Sequence, residues 1–143
     1  MTVVGLDFGE RRIGVAVSDT RGLTAQPVRA IERSATGGLA EDIGRIREIV
    51  EARKAERIVV GLPLNMDGSV GPAARRARRF ANRLARETGL AVVLQDERLT
   101  TTEAERSLLL ADESRARRRE LRDAVAAALI LQAYLDSQAR RQQ

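Results

Sequence analysis

Apolar and β-branched residues run almost unbroken through residues 2 to 8 and 12 to 19, with only GERR between them. Two such runs joined by a short polar link predict a β-hairpin with Gly9 in its turn. A third short strand is predicted near PVRAIER, after a loop from Thr24 to Pro27. The period then changes. In GGLAEDIGRIREIVEARK the apolar positions Leu39, Ile43, Ile46, Ile49 and Val50 recur at helical spacing. RIVVG reads as a short buried strand and LPLNMDGSVGP as a long polar turn. A helix from about 72 to 88 follows, with Pro72 in its first turn and Gly89 at its end. LAVVLQ is another buried strand, and TTTEAERSLLLA opens a helix with hydroxyl caps. DESRARRR lacks apolar anchors and reads as a mobile loop, so the last helix is placed from near Glu120, along ELRDAVAAALILQAYLDSQ. A hairpin, a strand and then alternating helices and strands predict an α/β domain, a mixed sheet with helices packed on it, over residues 1–143.

Composition narrows the chemistry open to such a domain. The 143 residues include no Cys and no His. Disulfides, thiol nucleophiles, thiolate metal sites and imidazole catalysis are all excluded. An enzyme built from this chain works with carboxylates, Arg, hydroxyls and hard cations. No signal peptide and no membrane span is indicated, so the expected location is the cytoplasm. The formal charge is +5, and of the 25 basic residues only Lys54 is not Arg. Residues 71 to 122 hold 13 Arg against 8 acidic residues, which accounts for the whole excess. A localised Arg surface suggests a polyanion as partner, beside the plainer reading of a solvated face.

Within this pattern one charge is out of place. Asp7 lies inside the first strand, sharing a face with Val3 and Gly5, so it is not simply the wet side of an alternation. A carboxylate there needs a partner or a task. A salt bridge to Arg11 or Arg12 across the hairpin is one explanation. Asp96 and Glu97 stand where the LAVVLQ strand leaves the sheet, the usual place for ligand chemistry in open α/β sheets. Bridging to Arg98 is their alternative. Glu103 and Glu105 have a local use, as partners of Thr100 and Thr102 in capping boxes. Asp123, expected in the first turn of the last helix, suits the helix dipole there. The small residues Ala124, Ala126, Ala127 and Ala128 also let that helix approach the sheet closely. Together, Asp7, Glu97 and Asp123 can converge on one sheet edge, where such crowded like charges call for a cation. Mg²⁺ or Mn²⁺ suits oxygen-only ligands, and two such ions cleave phosphodiesters without His or Cys.

Four blocks, GLDFGERRIGVAVSD, VVGLPLNMDGSVG, DERLTTTEA and RDAVAAALILQAYL, resemble in order those of the YqgF/RuvX family. These are Holliday-junction-resolvase-like proteins described as candidate nucleases for the 5′ end of precursor 16S ribosomal RNA. The resemblance implies an RNase H-like fold with a mixed five-stranded sheet, a role in ribosome biogenesis, and a metal site of Asp7, Glu97 and Asp123 with Asp96 in reserve. It also implies structured RNA as the partner, with branched DNA as the alternative; the oligomeric state is not implied. Arg11, Arg12, Asn65, Arg75, Arg98 and Arg122 are the candidate nucleic-acid contacts. Two positions depart from the family pattern. Arg11 stands where Lys is common, which keeps the charge, and Arg122 stands where the residue is usually small or apolar. A non-catalytic RNA-binding module is the competing class. With 2% aromatic residues, binding by either must lean on phosphates and shape rather than base stacking. An actin-like ATPase, superficially suggested by DFGERRIG, needs two such domains, and one is expected here.

Overall fold

The structure, a computed structural model, describes residues 1–98 and 110–142. The capping boxes at Thr100 to Glu105, and nearly all of the helix expected to open there, lie outside the described residues. Among the described residues five strands and three helices follow in the order β1 (Val3–Phe8), β2 (Arg12–Ser18), β3 (Ala25–Glu32), α1 (Gly38–Arg53), β4 (Arg57–Leu62), α2 (Pro72–Thr88), β5 (Ala91–Asp96) and α3 (Arg115–Arg141). The sheet order is β3-β2-β1-β4-β5. The first three strands form an antiparallel meander, while β4 and β5 join β1 in parallel through their helical crossovers.

Strand periodicity sorts the side chains into two layers. Val4, Leu6, Ile13, Val15, Val17, Ile58 and Val60 face α1 and α2, where they meet Ile43, Ile46, Phe80 and Leu84 in the larger core. Val3, Ala16 and Val59 face α3, packing on Ala127, Ile130, Leu131 and Tyr134. Asp7 belongs to this second face, being in step with Val3 and paired across the hairpin with Gly14. The lone carboxylate of β1 therefore lies under α3, at the end of the strand.

Two boundaries differ from the sequence reading. β3 begins at Ala25 and contains Pro27, placed there as a loop end. Pro is accommodated because β3 is an edge strand and its ladder with β2 slips between Val15 and Ala16, a bulge beside the missing N–H. More consequentially, α3 begins at Arg115, so most of DESRARRR is helix rather than loop. Ser114 caps it, its side chain accepting from the Arg117 N–H at 3.2 Å. The Arg118 guanidinium donates back to the carbonyls of Leu110, Ala111 and Glu113 at 3.0 to 3.1 Å. A cap and a side-chain brace replace the apolar anchors that those turns lack. Asp123 is consequently two turns into α3, beyond the reach of the dipole effect invoked for a first-turn position.

Candidate active site at the carboxyl edge of the sheet

Three glycines determine how the acidic residues meet. Gly5, Gly14 and Gly61 all lie on the α3 face. A Cβ on Gly5 would sit 2.7 Å from the Cβ of Leu131, and one on Gly14 would overlap the carbonyl of Asp123. One on Gly61 would come within 2.7 Å of both a Glu97 carboxylate oxygen and Ile130. The absent side chains let α3 settle on bare backbone and leave room for the Glu97 carboxylate.

The register then sets the elements that carry the three acids side by side. Asp7 pairs with Gly14 on one side. On the other, Leu6 pairs with Val60, so the next rung brings Asp7 beside Gly61. The Asp123 carbonyl lies over Gly14 and the Glu97 carboxylate against Gly61, on the two strands that flank Asp7. Asp7, Glu97 and Asp123 are all half-buried. Glu97 is fixed as it leaves the sheet by its N–H, which donates to the carbonyl of Leu62 at 3.2 Å. As the side chains are set, no group of three acidic residues among the described residues is gathered closely enough to hold a metal ion. Asp123 is turned toward Arg12, whose Nε lies 3.2 Å from its Oδ2.

The hairpin turn after Asp7 is held from the opposite face. Arg33 donates through Nη1 to the carbonyls of Gly9 and Glu10, both at 3.3 Å, and lies 4.4 Å over the ring of Phe8. Its Nε pairs at 3.2 Å with Asp42, a fully buried carboxylate that also accepts from the Ser34 N–H. Phe8 in turn stacks on Phe80, ring centroids 4.1 Å apart. Tyr134 is buried, with its hydroxyl 2.6 Å from Arg57. All three aromatic residues of the chain are thus engaged in contacts within the fold.

The candidate contacts fall into two groups. Arg11, Arg12, Arg75 and Arg122 are exposed around the acidic edge, Arg75 donating to the Val70 carbonyl at 3.1 Å. Arg12, one of the two arginines considered as a partner of Asp7, forms an ion pair with Asp123. Arg98 instead grips Asp96 through Nε and Nη2, at 2.8 to 3.2 Å, and reaches the Met66 carbonyl. The loop from Pro63 to Gly71 is thereby tied to the end of β5, with Asn65 and Asp67 both bonded to Ser69 within it. Asp96 is accordingly a clamp in this structure, the bridging alternative of the sequence reading. Sequence reasoning missed the spacing role of Gly14 and Gly61, although glycine in a strand is itself a sign of close backbone approach. It also missed Arg29 and Arg117, which line a groove beside Arg12.

The clamp has a measurable signature. The Arg98 side chain, and then its backbone N–H, hold the Asp96 carboxyl below the ordinary carboxylate range. A lowered folded-state pKa gives a contribution fully present above the unfolded value, near 3.9, and lost as pH falls through the lower folded value. Carboxyl NMR should therefore show Asp96 titrating at lower pH than an unperturbed Asp, and Arg98→Gln, which keeps the backbone N–H, should move it part of the way back toward the ordinary range. An unshifted Asp96 in the parent protein would contradict the clamp.

The chain matches the model of the RuvX family, described as Holliday junction resolvase, over residues 1–137. A protein of Pelotomaculum thermopropionicum named "Putative pre-16S rRNA nuclease" is 52% identical over 140 residues, covering 98% of this chain and 90% of its own. One of the same name from Symbiobacterium thermophilum is 52% identical over 141 residues, covering 99% and 96%. Among solved structures, Thermus thermophilus RuvC in complex with a Holliday junction substrate aligns with a TM-score of 0.61 at 18% identity, over 95% of this chain and 96% of that one. The fowlpox virus Holliday junction resolvase aligns at 0.55 and 11%, over 96% and 99%. These distant likenesses establish the fold, the RNase H-like architecture expected from the resemblance. With the family model spanning nearly the whole chain and relatives identical at half their positions, the protein belongs to the RuvX family.

Proposed function

We propose that this protein is a divalent-metal-dependent nuclease acting on structured RNA, the 5′ end of precursor 16S rRNA, in the cytoplasm during ribosome biogenesis. Residues 1–143 would form one nuclease domain. The observation that supports the reading is the register that sets Asp7 between Gly14, which lies under the Asp123 backbone, and Gly61, which lies against the Glu97 carboxylate, on one face of the sheet. The names of the relatives support the substrate class.

The residues fit Mg²⁺ or Mn²⁺. Their donors are carboxylate oxygens only, the chain has no His or Cys to favour a softer ion, and the glycine floor keeps clear the space that side chains would fill. Asp7, Glu97 and Asp123 would hold the ion; bound there, it supplies an activated water and stabilises the leaving oxygen of a phosphodiester. Asp7, on a central strand with ordered neighbours, fixes the middle of the set. Glu97 is positioned by its backbone bond to Leu62. Arg11, Arg12, Arg75 and Arg122 supply positive charge around the edge for the phosphate backbone.

The test is cleavage of a precursor rRNA fragment beside a four-way DNA junction, at one salt concentration, with Mg²⁺, with Mn²⁺ and with chelator. RNA cleavage that requires the cation is the expected result. Preferential cutting of the junction would establish the resolvase reading instead, and tight RNA binding without cleavage would establish the non-catalytic module.

A further inference from the structure

A groove of about 350 Å³ runs along the α3 face between the edge strand β3 and the first turns of α3. Among the described residues Arg12, Arg29 and Arg117 line it, against the carboxylate of Glu32. Its charge is therefore positive, and its cations are guanidiniums, which match the paired oxygens of a phosphodiester. Arg12 has a second position to fill. It is about half exposed, and its Nε holds Asp123 in the orientation described above. The same guanidinium thus lies between a groove suited to phosphate and one carboxylate of the proposed metal set.

We propose that this groove seats a phosphate backbone of the nucleic-acid substrate, and that Arg12 couples that binding to the cation by exchanging Asp123 for a phosphate. The inference rests on the metal-site reading above. With the groove empty, Arg12 neutralises Asp123 and keeps it from joining Asp7 and Glu97. A backbone phosphate offers Arg12 a paired-oxygen partner, and Asp123 is released to the shared centre. Coupling of this kind is reciprocal, so a cation that takes Asp123 frees Arg12 for the backbone and strengthens both by the same factor. The arrangement keeps the site incomplete until the substrate arrives.

Two affinities measured at constant ionic strength test it. Mn²⁺ binding to the full chain is followed by electron paramagnetic resonance, and binding of a 2′-O-methyl RNA duplex, which is not cleaved, by fluorescence anisotropy with and without Mn²⁺. In the wild type, Mn²⁺ should tighten duplex binding several-fold. Arg12→Gln should bind Mn²⁺ several-fold more tightly than the wild type without RNA, bind the duplex more weakly, and lose the coupling. The Arg12 side of the ion pair is about half exposed, so its loss leaves this variant folded. Arg29→Gln should weaken the duplex while leaving the Mn²⁺ affinity of the free protein unchanged. Unaltered Mn²⁺ affinity or intact coupling in Arg12→Gln overturns the exchange, and undiminished duplex affinity in Arg29→Gln overturns the seat. If Asp7→Asn leaves Mn²⁺ binding at wild-type strength, the metal-site reading itself has failed, a separate result.

Discussion

Asp7→Asn should lower single-turnover cleavage of a precursor rRNA fragment by about a thousandfold at saturating Mg²⁺, with little change in the melting temperature. The substitution keeps the shape of the side chain and removes its charge. A bound divalent ion supplies several kcal/mol of charge stabilisation in the reaction, and about 4 kcal/mol corresponds to three decades of rate. Asp7 is the member with a glycine on either side and an acid over each glycine, so among the described residues no other carboxylate can take its place without moving a strand. Glu97→Gln and Asp123→Asn should each give losses of similar order. The double and triple variants should be scarcely worse than the singles, because residues that hold one group act as a unit. Full activity in Asp7→Asn would assign the cleavage to another site or another protein.

Gly14→Ala should lower the melting temperature by about 10 °C. The added Cβ overlaps a carbonyl of α3, which is backbone and cannot turn aside as the end of a long side chain would. Overpacking of this kind costs about 1 to 3 kcal/mol or more, and for a chain of this length each kcal/mol moves the midpoint by about 4 °C. The displaced turn is the one that carries Asp123, so cleavage should fall further than the loss of folded protein explains. Gly44→Ala is the matching control. Gly44 lies in the interior of α1 with open space where its Cβ would go, and Ala there should stabilise by about 0.5 to 1 kcal/mol. Equal melting of the Gly14→Ala and parent proteins would mean that α3 does not rest on β2 as described.

The contrast between those glycines illustrates what could be read in advance. α2 begins at Pro72 and ends at Gly89, as its punctuation indicates, because both residues act through local backbone geometry. Asp7 was conspicuous for a similar reason, a charge inside a run of strand formers. The beginning of α3 was hidden because the first turns of that helix bury no apolar side chain. They are held by Ser114 and by Arg118 reaching back to carbonyls, interactions that leave no periodic trace. The error also misplaced Asp123 within its helix. The pairing of Arg12 with Asp123 was equally hidden, because it depends on the close packing of α3 on Gly14, which brings in a residue distant in the chain. Arg29 and Arg117 form a groove only through the same packing.

The most direct measurement is anomalous diffraction from a crystal of the protein soaked in Mn²⁺. A manganese peak should lie among the carboxylates of Asp7, Glu97 and Asp123, with Asp123 turned away from Arg12. A fully soaked crystal of protein active with Mn²⁺ that shows no peak there, or one held by other residues, would refute the carboxylate centre.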